Sequence, residues 1–312
     1  MFLTMLPSQS TQNIRKPSPL AYKRRFGKKG VWTYAKRALV VGLYLPLLIL
    51  LRWIFTAARF HGDARSIEVT HTTIEFSQLP TAFDGLKIVF LTDFHCSPLT
   101  PPAFLERVIE KVNQLEPDLI LLGGDYISEG TDFIQPIETL LACLDAPLGV
   151  YGVLGNHDFD ADVCAVRTAL QRAGIVELTN TNIWLTRADS RICIAGVGDL
   201  WEDAQDIHAA LQGAVKGDMV ILLSHNPDFV MELDDARVCL VLSGHTHGGQ
   251  IHLPGIGPLI NNSRYGRRLS SGLISFSSFQ LYVSRGLGTV MVPFRYHCAP
   301  EIVLLTLRQA QD

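Results

Sequence analysis

Residues 86–95 read LKIVFLTDFH, a short apolar run that ends in an aspartate and a histidine. The same pattern recurs downstream, where DLILL (118–122) runs into GGD and GVYGVL (149–154) runs into GNHD. Between and after these runs, apolar residues at helical spacing predict helices over 101–115, 133–144 and 162–173. Such alternation is typical of parallel strands buried between helix layers, so the sequence predicts an α/β fold.

Polar side chains follow five of the predicted strands. Three of them are the apolar runs quoted above, and two more are predicted at 219–223 and 238–242. The polar residues that follow the five strands are Asp93, His95, Asp125, Asn156, His157, Asp158, His225, His245 and His247. Because ligands bind at the carboxyl ends of strands in α/β sheets, we expect these side chains to meet. Carboxylate, amide oxygen and imidazole together suit manganese, iron or zinc. Two such metals can clamp a phosphoryl group and generate hydroxide near neutral pH, so the sequence predicts a dinuclear hydrolytic site.

The blocks DFH (93–95), GGDY (123–126), GNHD (155–158), SHNP (224–227) and GHTHGGQ (244–250) resemble those of the calcineurin-like metallophosphoesterases. The resemblance covers roughly residues 85–307. The segments LPGIGPL (253–259), SRGLG (284–288) and PEI (300–302) resemble a membrane-associated bacterial subgroup of that family. The resemblance implies two facing mixed β-sheets with helices outside, a four-layer sandwich.

The resemblance also implies a role for each site residue. One metal would be bound by Asp93, His95, Asp125 and His247, and the other by Asp125, Asn156, His225 and His245, with Asp125 bridging. His157 would contact the scissile phosphate or protonate the leaving oxygen, and Asp158 would orient His157. The expected cofactors are two divalent metal ions, manganese first, with iron or zinc as alternatives.

The first sixty residues differ from the rest of the chain in charge. They contain eleven of the 27 Lys and Arg residues and no Asp or Glu, so residues 61–312 carry 16 basic and all 30 acidic groups. An acidic body argues against nucleic acid as a partner, because phosphate binding needs basic patches. Residues 1–37 are polar and basic and are predicted to be a disordered tail. Residues 59–84 are predicted to be a linker with a lead-in strand, and 85–312 the phosphoesterase domain.

Residues 38–58 form an apolar segment with a single charge, Arg52. Its length is about the ~20 residues that span a ~30 Å hydrocarbon core, which predicts a signal-anchor helix in the bacterial cytoplasmic membrane. A cleaved secretory signal is an alternative, favoured by Thr56-Ala57-Ala58. A monotopic segment lying in the interface is another, favoured by Pro46. The basic head would place the domain outside, whereas cysteines without a disulfide pattern favour a reducing compartment, so the side of the membrane stays open.

Three functions remain open at this stage. The expected activity is membrane-associated hydrolysis of a phosphodiester or pyrophosphate bond. One branch of the family cleaves the pyrophosphate of UDP-2,3-diacylglucosamine in lipid A biosynthesis, and the anchor is compatible with that substrate. A generic phosphodiesterase or phospholipid-headgroup hydrolase is the alternative. A catalytically inactive metal-binding scaffold is disfavoured by the intact ligand set and the His157–Asp158 pair.

Overall fold

The computed structural model describes residues 66–128, 130–259, 261–291 and 294–310. The predicted tail at 1–37, the predicted anchor at 38–58 and the first part of the predicted linker lie outside these ranges. Among the described residues, no helix combines the length and the apolar character that crossing a membrane requires. The domain boundaries drawn from the sequence therefore stay predictions.

The described residues form strands β1 to β14 and helices α1 to α5. The strands are Glu68–Phe76, Lys87–Leu91, Leu119–Leu122, Val150–Gly152, Val176–Glu177, Thr181–Arg187, Ser190–Gly196, Val220–Leu223, Leu240–Ser243, His252–Leu253, Gly257–Pro258, Gly272–Ser275, Gln280–Val283 and Glu301–Gln309. The helices are Pro102–Gln114, Ile134–Leu141, Asn156–Ala161, Val163–Arg172 and Ile207–Ala210.

Twelve of these strands build two six-stranded sheets. The first has the order β1-β14-β2-β3-β4-β5, in which β2 to β5 are parallel and β14 runs antiparallel to β2. The second has the order β12-β13-β9-β8-β7-β6, with parallel strands in the middle and an antiparallel strand at each edge. Strands β10 and β11 form a separate antiparallel hairpin.

Alternating side chains divide the molecule into layers. Ile88 and Phe90 of β2 lie in the apolar cluster between the sheets, where they meet residues of β8 and β9. Their neighbours Val89 and Leu91 point to the other face and pack with α1, α2 and α4. A third cluster covers the outer face of the second sheet, under α5 and Phe229. The order is helix, sheet, sheet, helix, which confirms the predicted α/β fold with two facing mixed sheets.

Candidate metal centre

The carboxyl ends of β2, β3, β8 and β9 bring the predicted ligands together. Their ligand atoms form three overlapping groups, each within 4.8 Å: Asp93 with His95 and His247, Asp125 with His225 and His245, and His95 with Asp125 and His157. Together the first two groups contain six of the seven ligands predicted from the family resemblance, and the seventh, Asn156, follows β4. All of these residues except His157 are buried.

Asp125 lies between the first two groups. Its Oδ2 is 3.4 Å from Nε2 of His95 in one group and 3.2 Å from Nε2 of His225 in the other. On the first side, Nε2 of His247 lies 3.1 Å from Nε2 of His95 and 3.5 Å from Oδ1 of Asp93. On the second side, Nδ1 of His245 lies 3.3 Å from Nε2 of His225. One carboxylate oxygen therefore borders both clusters of donors.

The donor atoms fit two divalent cations. Neighbouring ligands of one metal, each bonded at about 2.1 Å, lie about 3.0–3.4 Å apart. The distances between these atoms, 3.1–3.5 Å, are close to that range. His225 donates its Nδ1–H to the carbonyl oxygen of Gly123 at 2.7 Å, so Nε2 is the ring nitrogen that would bind a metal. Asn156 Oδ1 and His245 Nε2 are buried and have no hydrogen-bond partner among the described residues. Buried polar atoms without partners are rare in folded proteins, and a cation would satisfy an amide oxygen.

The backbone at the ligands adopts an unusual conformation. Asp93, His95, Asp125, His245 and His247 all have φ between 47° and 66°, in the left-handed region. Each such residue costs about 1–3 kcal/mol and persists only where its surroundings hold it. Backbone hydrogen bonds between the ligand loops hold two of these residues. Asp93 N donates to Gly124 O at 2.9 Å, and His95 N donates to Asp125 O at 3.0 Å.

Two glycines permit the close approach of the ligand loops. A Cβ on Gly155 would overlap the carboxylate and backbone nitrogen of Asp125. A Cβ on Gly244 would overlap the side chains of Thr92 and Asp93. At either position a side chain would therefore displace a predicted metal ligand or its loop.

Burial sets the protonation of the metal-free cluster. Desolvation lowers the pKa of His95 and of His245 to about 3, so both imidazoles are neutral at pH 7 and able to bind a metal. Desolvation raises the pKa of Asp93 to about 6. His225 behaves differently from the other histidines. Burial disfavours its charged form, but the carboxylates of Asp125, Asp93 and Asp199 together outweigh that effect and raise its pKa well above the usual range.

His157 and Asp158 lie at the start of α3, and their contacts differ from the predicted pairing. The His157 side chain is 23% exposed, and its Nδ1 donates to the carbonyl oxygen of Ser128 at 3.0 Å. The carboxylate of Asp158 is buried and accepts three backbone N–H groups, from Asp125, Tyr126 and Gly155, each at 2.9 Å. Asp158 thus joins the GGDY loop to the GNHD turn and positions the backbone of Asp125, while Ser128 orients His157.

Three residues near the centre were missed by the sequence reasoning. Asp199 follows β7 as Asp93 follows β2, so the strand-end pattern was available to find it; its Oδ2 is buried and has no hydrogen-bond partner among the described residues. The ring of Trp201 stands edge-on to His245 at 4.4 Å between centroids and is 41% exposed. Arg295 is buried beside His247 and donates to the carbonyl oxygens of Gly288 and Arg285. Most of its partners are backbone carbonyl oxygens, which no sequence motif indicates, and it also lies 3.4 Å from Nδ1 of His247.

The chain is similar in sequence to several known phosphoesterases. Residues 86–249 match the family model for the calcineurin-like phosphoesterases. The uncharacterized metallophosphoesterase YkuE of Bacillus subtilis is 38% identical over 81% of this chain and 91% of its own length. Phosphodiesterase YaeI of Escherichia coli is 32% identical over 71% of this chain and 82% of its own length. The UDP-2,3-diacylglucosamine pyrophosphatase LpxG of Chlamydia trachomatis is 30% identical over 78% of this chain and 90% of its own length.

Proposed function

The chain belongs to the calcineurin-like phosphoesterase family and is a metal-dependent hydrolase, and we propose that it cleaves a phosphodiester or pyrophosphate bond at a membrane surface. The observation that carries the chemistry is the position of Asp125 Oδ2, within 3.4 Å of imidazole nitrogens in both ligand groups. A bridging carboxylate is what a two-metal site requires, because the two cations of such a site lie only about 3.5–4 Å apart.

Two divalent metals would be held by the residues that surround this oxygen. Asp93, His95 and His247 would bind the first metal with Asp125, and Asn156, His225 and His245 would bind the second with Asp125. When bound, such ions act as Lewis acids on the phosphoryl oxygens and activate water as the nucleophile. Manganese is the proposed metal, with iron or zinc as alternatives.

Two side chains of the protein would position the catalytic groups and donate a proton to the substrate. His157 is the partly exposed member of the cluster, and its Nδ1–H is committed to Ser128. Its Nε2 is therefore left for the substrate, where an imidazolium would donate to the phosphoryl or leaving oxygen as a general acid. Asp158 holds the Asp125 loop, so we assign it a positioning role.

The proposed location is the bacterial cytoplasmic membrane. The support is compositional: residues 38–58 carry one charge and are preceded by nine basic residues, which fits an anchor with flanking contacts to anionic lipid. Anchoring would raise the local concentration of the enzyme near lipid-linked substrates. A fusion of topology reporters to the C-terminus would tell whether the catalytic residues face the cytoplasm or the exterior.

A second, narrower candidate is hydrolysis of the pyrophosphate of UDP-2,3-diacylglucosamine. The similarity to LpxG over most of both chains favours it, as does the proposed anchor. The similarity to phosphodiesterase YaeI favours a simple diester instead.

One experiment separates these activities. The metal-free full chain is loaded in parallel with manganese, iron or zinc and assayed on bis-p-nitrophenyl phosphate and on UDP-2,3-diacylglucosamine in mixed micelles. Metal-dependent turnover of the diester, abolished in Asp125→Asn, is the expected result. Pyrophosphate turnover that exceeds diester turnover would favour the narrower candidate. Full metal loading without turnover of either substrate would instead identify an inactive metal-binding scaffold.

A further inference from the structure

The segment between residues 238 and 300 has an unusual charge balance. It contains five arginines and no Asp or Glu, although residues 61–312 carry 30 acidic groups in total. Arg295 is buried and Arg285 is paired with Glu68 and Glu301. The three remaining arginines are Arg264, Arg267 and Arg268, and all three are exposed. No described carboxylate lies within ion-pair distance of their guanidinium groups. These three arginines therefore form a region of unpaired positive charge on an otherwise acidic body.

Exposed apolar side chains lie in the same region. Ile256 at the turn of the β10–β11 hairpin is 53% exposed, Leu259 just after it is 54% exposed, and Tyr265 is 40% exposed. The guanidinium of Arg267 lies beside Gly257, about 3.5 Å from the position of its missing Cβ, so the arginine loop packs against the hairpin. Single exposed apolar residues are ordinary, but an apolar tip next to unpaired arginines is typical of surfaces that enter a membrane interface.

This surface is attached to the metal centre. The hairpin begins five residues after His247. Asn262 of the arginine loop donates to the carbonyl oxygen of His245 at 3.3 Å, and Thr246 donates to that of Ser270 at 2.7 Å. Whatever contacts the hairpin therefore lies close to the metal-ligand loop.

The described part of the chain also begins at this edge of the fold. Strand β1 starts at Glu68, which pairs with Glu301, and β14 runs antiparallel to β2. Glu68 is thus at the same end of the sheet as the carboxyl end of β2, where Asp93 lies. The described residues just before Glu68 therefore lie at the edge of the sheet that carries the metal ligands.

We propose that the β10–β11 hairpin and the loop with Arg264, Arg267 and Arg268 form a docking surface for an anionic lipid bilayer. Ile256 and Leu259 enter the interface, and the three arginines contact lipid phosphates. Docking orients the metal centre toward headgroups, which goes beyond anchoring alone. Each basic residue near an anionic surface contributes about a fivefold factor, so the three together contribute on the order of 100-fold.

The test uses the full chain with an indole added at the surface by Tyr265→Trp. Vesicles contain phosphatidylcholine brominated on its acyl chains, with or without phosphatidylserine, and the emission of the parent chain is subtracted. The matched control is Val215→Trp, since Val215 is 61% exposed and precedes β8, at the end of the strand opposite the metal centre. Hydrolysis of a soluble diester is measured on every variant.

With phosphatidylserine present, the bromolipid should quench the indole added at position 265 and not the one added at 215. Replacing the three arginines by glutamine should lower the ratio of docked to undocked protein on the order of 100-fold, and salt should act in the same direction. Soluble-diester hydrolysis should stay unchanged.

Equal quenching at the two positions would overturn the proposal. Quenching that does not depend on phosphatidylserine or on the three arginines would also overturn it. Protection of the indole at 265 from acrylamide without vesicles would show that another part of the chain covers the surface, which also overturns it. If the parent chain did not hydrolyse the soluble diester, the proposed function would be refuted. The docking result would not be affected.

Discussion

Replacing Asp158 with asparagine distinguishes two roles for this carboxylate. Its two oxygens accept three backbone N–H groups at 2.9 Å in a buried site. The amide nitrogen of asparagine cannot accept, so at least one N–H loses its partner and faces another donor. An unsatisfied buried donor costs about 1–3 kcal/mol, so the expected loss of stability is up to about 3 kcal/mol.

The expected result is a less stable protein that binds metal more weakly. For a domain of this size, about 3 kcal/mol corresponds to a Tm lowered by roughly 6–12 °C. Because Asp158 holds the backbone of Asp125, metal affinity should fall about 10–100-fold, as is usual for groups that orient ligands. Calorimetry of the metal-loaded protein and competition with a chelator measure the two quantities.

Asp145→Asn is the matched control, since Asp145 is exposed on the surface and the same charge is removed. It should leave both Tm and metal affinity unchanged. If Asp158→Asn lowered only kcat, with Tm and metal affinity as in the parent, then Asp158 would act through His157 and the positioning role would be refuted.

Three further perturbations test the remaining assignments. Asp125→Asn should weaken both metals together and remove most activity; two full equivalents of metal with normal turnover would contradict a bridging role. His157→Ala should keep its metals while kcat falls by about 10²–10⁴, the range for a positioned general acid, and metal loss would instead make it a ligand. Burial raises the pKa of Asp93 to about 6, so Asp93 is protonated below that pH when no metal is bound. A cation must displace this proton in order to bind. Manganese affinity, measured by titration calorimetry, should therefore decline as pH falls through about 6, and a flat profile would contradict this.

The ligand positions were accessible from sequence because each follows an apolar strand, and parallel strands place their carboxyl ends at one edge. The helix α3 and the strand β6 were not predicted. The α3 helix begins inside the GNHD block, where glycine and polar residues usually indicate a turn. The β6 strand reads TNIWLTR and lies at a sheet edge, where half-exposed polar residues weaken the apolar signal.

The partners of Asp158 and Arg295 could not be read from sequence either. Asp158 accepts from backbone groups of the GGDY loop more than thirty residues earlier, and Arg295 donates to the carbonyl oxygens of Arg285 and Gly288. Side-chain contacts with backbone groups leave no residue pattern. The left-handed φ of Asp93 and His95 was not predictable either, because it is uncommon for residues other than glycine and no local motif marks it here.

The direction of β14 has a practical consequence. This strand starts at Glu301 on the edge that carries the metal ligands and ends at Gln309 on the opposite edge, beside Asp84. A fluorescent protein or an affinity support joined close after Gln309 would therefore begin on the side of the sheet away from the metals. Immobilisation through that end of β14 should leave substrates free to reach the metal-binding edge, whereas an attachment close before Glu68 would crowd it.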